Sequence, residues 1–329
     1  MHAVRLTHNQ ALWGMVLAPF LWGTAGVVTR QLESAEGFEV TFWRSFFAGV
    51  SLVVLLPLVR WLDGSAIRSQ GRGALLQWWG VTWQSRSFWV SGLCWSVMFT
   101  AFMLALLMTS VAHVLVLLAM GPLFTAALGR VVLKQLLPLR TWLAIVLAVM
   151  GILYMFGSQW LASLSDPSID TTRFVLGTVI ALAVPVAGAI NWITVQRSAL
   201  QGQSVDLVPA VMVGGLLSAL YTAPAALPLG ATGLDVTWLA ALGVFQLAVP
   251  CVISVFCARV LKAAEVSLLA QLEVIFGIGL VWWWVGEAPA TQVLIGGAVV
   301  MSALVGNEWL GWRDRRSLPR IQTVKSPPD

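Results

Sequence analysis

Residues 87–129 read SFWVSGLCWSVMFTAFMLALLMTSVAHVLVLLAMGPLFTAALG, a stretch without a single Lys, Arg, Asp or Glu. A helix needs about 20 apolar residues to cross a hydrocarbon core of about 30 Å. This run is too long for one crossing and suits two, with a tight turn near Met108–Ser110 where the polar Thr109-Ser110 pair falls. Inside lipid every backbone amide must be bonded within its own segment, so the expected conformation is helical.

The rest of the chain agrees. Of 329 residues, 59% are hydrophobic and 10% charged, whereas a soluble domain carries roughly 25% charged residues. Working outward from residues 87–129, the expected spans are Ala11–Thr29, Phe38–Val59, Ser87–Leu107, Val111–Leu133, Leu139–Gly157, Phe174–Val195, Leu207–Leu227, Val236–Cys257, Ala264–Val285 and Ala290–Gly306. The expected fold is therefore an all-α integral membrane protein of ten transmembrane helices. The N-terminal apolar run is of full span length and has no small-residue cleavage site, so it reads as a span and not a leader.

Charge placement sets the orientation. With the N-terminus cytoplasmic, the inner side receives Arg5, Arg60, Arg68, Arg72, Arg86, Lys134, Arg140, Arg197, Arg259, Lys262, Arg313, Arg315, Arg316, Arg320 and Lys325, which is fifteen of nineteen basic residues. The outer side receives Arg30 and Arg173, while Arg44 and Arg130 lie within spans. That asymmetry follows the positive-inside rule, with both termini in the cytoplasm of a cell with an inner membrane. It also accounts for the net charge of +5 without invoking nucleic acid. Tryptophans mark the interfaces, where an amphipathic indole is best solvated. Trp13, Trp61, Trp142, Trp309 and Trp312 fall at inner ends, and Trp43, Trp160, Trp238 and Trp282-Trp283-Trp284 at outer ends. The segment Ala74–Trp83 is expected along the membrane surface, and the polar tail after Arg313 without structure.

The chain also contains a weak copy of itself. At a shift of 152 residues, Ala112-His113-Val114 falls on Ala264-Glu265-Val266, Leu117 on Leu269 and Phe124 on Phe276. The expected organisation is a cytoplasmic N-terminus (1–10), a first five-helix repeat (11–157), an external linker (158–173), a second repeat (174–306) and a cytoplasmic tail (307–329). Five helices is an odd number, so the second copy enters from the opposite face. Such inverted repeats are a common architecture of secondary transporters, with the substrate site at their interface. Pro19 and Pro185 sit in the first helix of each half, with Gly121-Pro122 in the fourth and Pro250 in the eighth. Proline removes an intrahelical bond, so these four are candidate helix breaks beside a pathway.

Leu21-Trp22-Gly23, Phe42-Trp43-Arg44, Ala112, Gly121-Pro122, Val266-Ser267-Leu268-Leu269, Leu272-Glu273 and Val285-Gly286-Glu287 follow one another in this order. From Ala11 to about Gly306 the chain resembles the EamA-type family of the drug/metabolite transporter superfamily. The resemblance implies a ten-helix carrier or facilitator, driven by protons or another gradient, for amino acids or small metabolites, and often an exporter. Two positions depart from the pattern. Leu133-Lys134-Gln135 stands where the family usually has Leu-Gly-Glu, and Val274 where it often has Pro. The first departure removes a symmetric pair of carboxylates at the two turns.

Ionisable groups deep in lipid are expensive and mark function by default. Glu273 is expected near mid-membrane, either binding a cationic group or proton, or held as a structural carboxyl. Arg44 either meets a substrate carboxylate or pairs within the protein. Arg130 is expected to snorkel. His113 and Glu265, equivalent in the repeat, are expected to cap helices at opposite mouths, and Glu287 to cap the tenth helix. Asn191, Gln196, Gln246 and Gln271 line a route or bond helix to helix; Trp22 and Trp95 wall a cavity or pack. Three Cys and three His offer no metal set or nucleophile pairing, and no P-loop is present, so no cofactor is expected and an enzyme is disfavoured. The partners expected are the bilayer, a small-molecule substrate and protons. A scaffold or sensor without a polar pathway is the alternative, and a membrane enzyme a more distant one.

Overall fold

The computed structural model describes residues 7–63, 83–132, 134, 138–165, 170–200, 208–258, 261 and 269–317. The expectations for residues 74–82, for Glu265 and Lys262, and for the tail beyond Ser317 lie outside the described residues, as do the side chains of Trp61, Trp160, Gln196 and Trp312. Every regular element among the described residues is helical. Eight helices are long and apolar enough to cross a membrane: His8–Thr29, Gly37–Leu56, Arg86–Met108, Val111–Val132, Thr171–Thr194, Pro209–Ala226, Gly233–Ser254 and Thr291–Gly311. Leu139–Met155 and Leu272–Val285 are shorter apolar helices at two further predicted positions.

Caps and breaks divide these helices further. Thr7 and Gln10 form a capping box that opens α1 (His8–Gly23), and α2 (Ala25–Thr29) continues it after a break at Thr24. There the Thr24 hydroxyl donates to the Leu21 carbonyl at 2.7 Å. Next come α3 (Gly37–Asp63) and α4 (Arg86–Met108). Ser110 caps α5 (Val111–Leu118) by accepting the His113 N–H at 3.3 Å, so the charge-free run does turn at Thr109-Ser110. After Ala119-Met120, α6 (Gly121–Val132) begins with Pro122 in its first turn, where the missing N–H costs nothing. Then follow α7 (Leu139–Ser165), α8 (Thr171–Leu200) and α9 (Val208–Ala226). A Thr232–Asp235 capping box opens α10 (Gly233–Ala241), which runs through a π-helical segment, Leu242–Ala248, into α11 (Val249–Ala258). Pro250 cannot donate to the Gln246 carbonyl, and the wider register is visible where Val249 N–H reaches the Val244 carbonyl. Finally α12 (Leu272–Val285) stops at Gly286, whose φ of +77° suits glycine, and α13 (Thr291–Ser317) ends the described chain.

Several expectations are corrected. Pro19 and Pro185 do not break their helices, since α1 and α8 run through them; one lost bond is tolerated where the flanking turns stay paired. Helix runs into the expected linker 158–173 from both ends, since α7 reaches Ser165 and α8 begins at Thr171. Helix also continues past 306, to Ser317. His113 caps no mouth: it is fully buried, with Nε2 3.0 Å from the Thr178 hydroxyl.

The helices pack in a definite scheme. The principal neighbours are α3 with α9, α4 with α8 and with α9, α7 with α13, α1 with α11 and with α12, α5 with α12, α6 with α8, and α3 with the π segment. Several of the crossings are glycine on glycine. A Cβ on Gly23 would stand 2.8 Å from the Gly277 nitrogen, and one on Gly151 2.9 Å from the Gly296 carbonyl oxygen. Small residues let helices approach closely where lipid supplies no hydrophobic drive. The outward surface is apolar, with Leu220 70%, Phe245 63% and Trp283 79% exposed.

Candidate functional site

The polar centre of the bundle is built on Arg44. Its helix, α3, lies so close to the π segment that a Cβ on Gly243 would stand 2.6 Å from the Arg44 carbonyl oxygen. Arg44 is 1% exposed. Its Nε and Nη2 donate to Gln246 Oε1 at 3.1 and 3.0 Å, its Nη1 donates to the Phe99 carbonyl at 3.3 Å, and its guanidinium lies 5.6 Å from the Phe102 ring centre. Gln246 Nε2 in turn donates to the Trp22 carbonyl at 3.2 Å. That carbonyl belongs to the last turn before the break at Thr24, so Arg44 and Gln246 together join α3, α4, the end of α1 and the π segment. A buried guanidinium needs such partners, because an unpaired charge in low dielectric is strongly destabilising.

Glu273 lies in the first turn of α12. The helix dipole favours a negative charge there. The residue keeps a small exposed part and lies within electrostatic reach of Arg44, with no ion-pair contact between the two. No described residue donates a hydrogen bond to its carboxylate. Gln271 is the residue before α12 and is also partly buried. At the shift of 152 residues it falls on Ala119, so the helix interruption before α12 corresponds to the one before α6.

The remaining predicted residues divide between packing and bonding. Trp22 and Trp95 both pack on a cluster holding Ala48, Leu52, Phe99, Leu247 and Cys251. Trp95 also meets Phe99, ring centres 5.5 Å apart. Asn191 lies away from this centre and accepts from the Ser91 hydroxyl at 2.6 Å, tying α8 to α4. Pro122 and Pro250 open α6 and α11, while Pro19 and Pro185 stay within helices.

Two features escape a reading of the sequence. One is a hydroxyl chain across α3, α4 and α9. Ser218 bonds Ser45 at 2.9 Å and Thr100 at 2.7 Å, Thr100 bonds Tyr221, and the Tyr221 hydroxyl donates to the Ser96 carbonyl at 3.0 Å. Ser and Thr are too common in such helices to signal this. The other is a set of acids at one end of the bundle. Glu287 does not cap the tenth helix; it pairs with Arg30 at 2.9 Å and accepts the Val111 N–H at 3.4 Å. The reason is geometric: the end of α2 brings a cation to this loop, whereas the amides that open α13 offer no charge.

Residues 9–157 match the family model described as the EamA-like transporter family. Eleven solved chains match in fold, among them a protein crystal structure 16% identical to this chain, with a TM-score of 0.61 and coverage of 95% of this chain and 100% of its own. At that identity the likeness speaks to the fold alone. No curated protein matches.

Proposed function

We propose that the chain is a secondary carrier that moves a small metabolite by alternating access between two inverted five-helix repeats, a reading that the match of residues 9–157 to the EamA-like transporter family supports. Ten crossings are reached by counting Leu139–Met155 and Leu272–Val285 with the eight longer helices. The observation that carries this reading is the packing scheme. Pair α1–α2 with α8, α3 with α9, α4 with the α10–α11 helix, α5–α6 with α12, and α7 with α13. Exchanging the partners then turns α4 against α8 into α11 against α1, α6 against α8 into α12 against α1, and α9 against α4 into α3 against the π segment. The contacts of α3 with α9, α5 with α12 and α7 with α13 map onto themselves. A bundle with this exchange symmetry has a second conformation of similar energy with the roles of the halves swapped, which is what alternating access requires.

Within that frame Glu273 is the group that meets substrate or proton. It is the acid of the polar centre to which no described residue donates a hydrogen bond, and a carboxylate in low dielectric gains much from a cationic partner. Arg44 holds the helices and balances the Glu273 charge. An amino acid or amine is the substrate class that suits one carboxylate; the basic-residue asymmetry supports cytoplasmic termini in the inner membrane, and the family resemblance supports export.

The test is transport by purified protein in proteoliposomes, after a thermal-shift screen of amino acids, amines, nucleosides and sugars to find a ligand. The expected result is gradient-dependent flux of a stabilising amine or amino acid, lost in Glu273→Gln with folding retained. Full flux by a well-folded Glu273→Gln protein removes the role of Glu273. Chain ends labelled on opposite faces of the bilayer would remove the two-repeat topology.

A further inference from the structure

At the end of the bundle that carries Arg30, two carboxylates each reach across to a loop of the other half. Asp235, fully buried in the first turn of α10, accepts the N–H groups of Glu33, Ser34 and Ala35 at 2.9, 3.1 and 3.2 Å, and that of Thr232 at 3.2 Å. Glu39, 6% exposed in the first turn of α3, accepts those of Gly230 and Ala231 at 3.1 and 2.9 Å, and the Trp43 indole N–H at 3.3 Å. The arrangement is reciprocal. The loop leading into α3 is held by the acid of α10, and the loop leading into α10 is held by the acid of α3. Arg30 adds a third tie, pairing with Glu287 at 2.9 Å and donating to the Leu106 carbonyl at 3.2 Å. Beneath these ties Ala25, Val40, Leu106, Val111, Leu239 and Val281, none more than 2% exposed, belong to one apolar cluster drawn from both halves.

Helix capping alone needs an acid to serve its own helix. Here five of the accepted N–H groups belong to the opposite half. Bonds to an ionised acceptor are about twice as strong as neutral ones, and each loop is held by an acid of the opposite half. We propose that Asp235 and Glu39 form a two-handed latch that holds this face shut and releases as one unit when the face opens. The proposal rests on the alternating-access reading, and its test reads motion instead of flux.

Amide hydrogen exchange on the full-length protein in lipid nanodiscs, comparing wild type with Asp235→Asn and Glu39→Gln, decides it. In wild type the amides of residues 33–35 and 230–231 exchange slowly. Each substitution is expected to speed exchange about tenfold in both loops, its own and the opposite one. Acceleration confined to the loop that lost its acceptor makes the two acids independent caps and overturns the latch, as does fast exchange of these amides in wild type. If Asp235→Asn does not fold, Glu39→Gln read at residues 33–35 distinguishes the same two outcomes. Coupled exchange in a protein that transports nothing keeps the latch and removes the carrier; flux with uncoupled loops does the reverse.

Discussion

Arg44 places two of its guanidinium nitrogens, at 3.1 and 3.0 Å, on the one side-chain oxygen of Gln246. The two residues are 202 positions apart and lie in opposite halves of the chain. The bond is a joint between those halves on a fully buried guanidinium, so substitutions there report on the joint directly.

Replacing Gln246 with Leu strips Arg44 of two bonds and the Trp22 carbonyl of its side-chain donor. The expected loss is about 2–3 kcal/mol, the cost of orphaning a hydrogen-bonded charged group. It is measured as a lowered unfolding midpoint in detergent. Gln246→Glu keeps an acceptor for Arg44 and should recover part of that loss; a Leu variant as stable as wild type would show that the joint carries no weight.

The meeting of α1 and α12 at Gly23 and Gly277 predicts steric sensitivity. In Gly23→Ala the new methyl meets backbone, which cannot rotate away, at 2.8 Å from the Gly277 nitrogen. Overpacking of this kind costs about 1–3 kcal/mol. Gly279, two residues on, has nothing within 4 Å of an added Cβ, so Gly279→Ala is expected to be neutral. Equal melting of the two variants would contradict the close crossing.

Ser218→Ala removes the middle of the hydroxyl chain and leaves Ser45 and Thr100 short of a partner. Each lost bond between membrane helices is worth about 0.6 kcal/mol, so the expected destabilisation is about 1 kcal/mol. A double-mutant cycle of Ser218→Ala with Ser45→Ala measures the coupling, which should be nonzero and much smaller than that between Arg44 and Gln246.

Asn191→Leu tests a polar contact that lies outside the Arg44 centre, where Asn191 meets Ser91. The change is expected to cost about 1 kcal/mol or less in stability and to leave transport affinity unchanged. A shift in the ligand concentration for half-maximal thermal stabilisation would instead put Asn191 in the pathway.

The turn at Thr109-Ser110 is legible in the sequence because a charge-free run cannot stay in lipid beyond its span length. Gly121-Pro122 is legible as a disturbed helix because proline forbids an upstream bond. Arg44, Gln246, Trp22 and Glu273 each stand out because polar and bulky amphipathic groups deep in lipid are rare. That Arg44 and Gln246 are partners is not legible, since 202 residues separate them and several other amides are equally eligible. The π segment is hidden too: Pro250 announces a disturbed helix, and only the packing of Gly243 against α3 decides that the disturbance is a wider turn that presents Gln246 to Arg44.

By itself the sequence determined the helical state and the positions of the long apolar helices, because each follows from the local transfer cost of side chains and backbone into hydrocarbon. It also singled out which polar residues required an explanation. Tertiary structure decided which of them meet, turning Glu287 toward Arg30 and joining Asp235 and Glu39 to loops about 200 residues away. Those bonds depend on how helices distant in the chain lie against one another, and no local free energy specifies that.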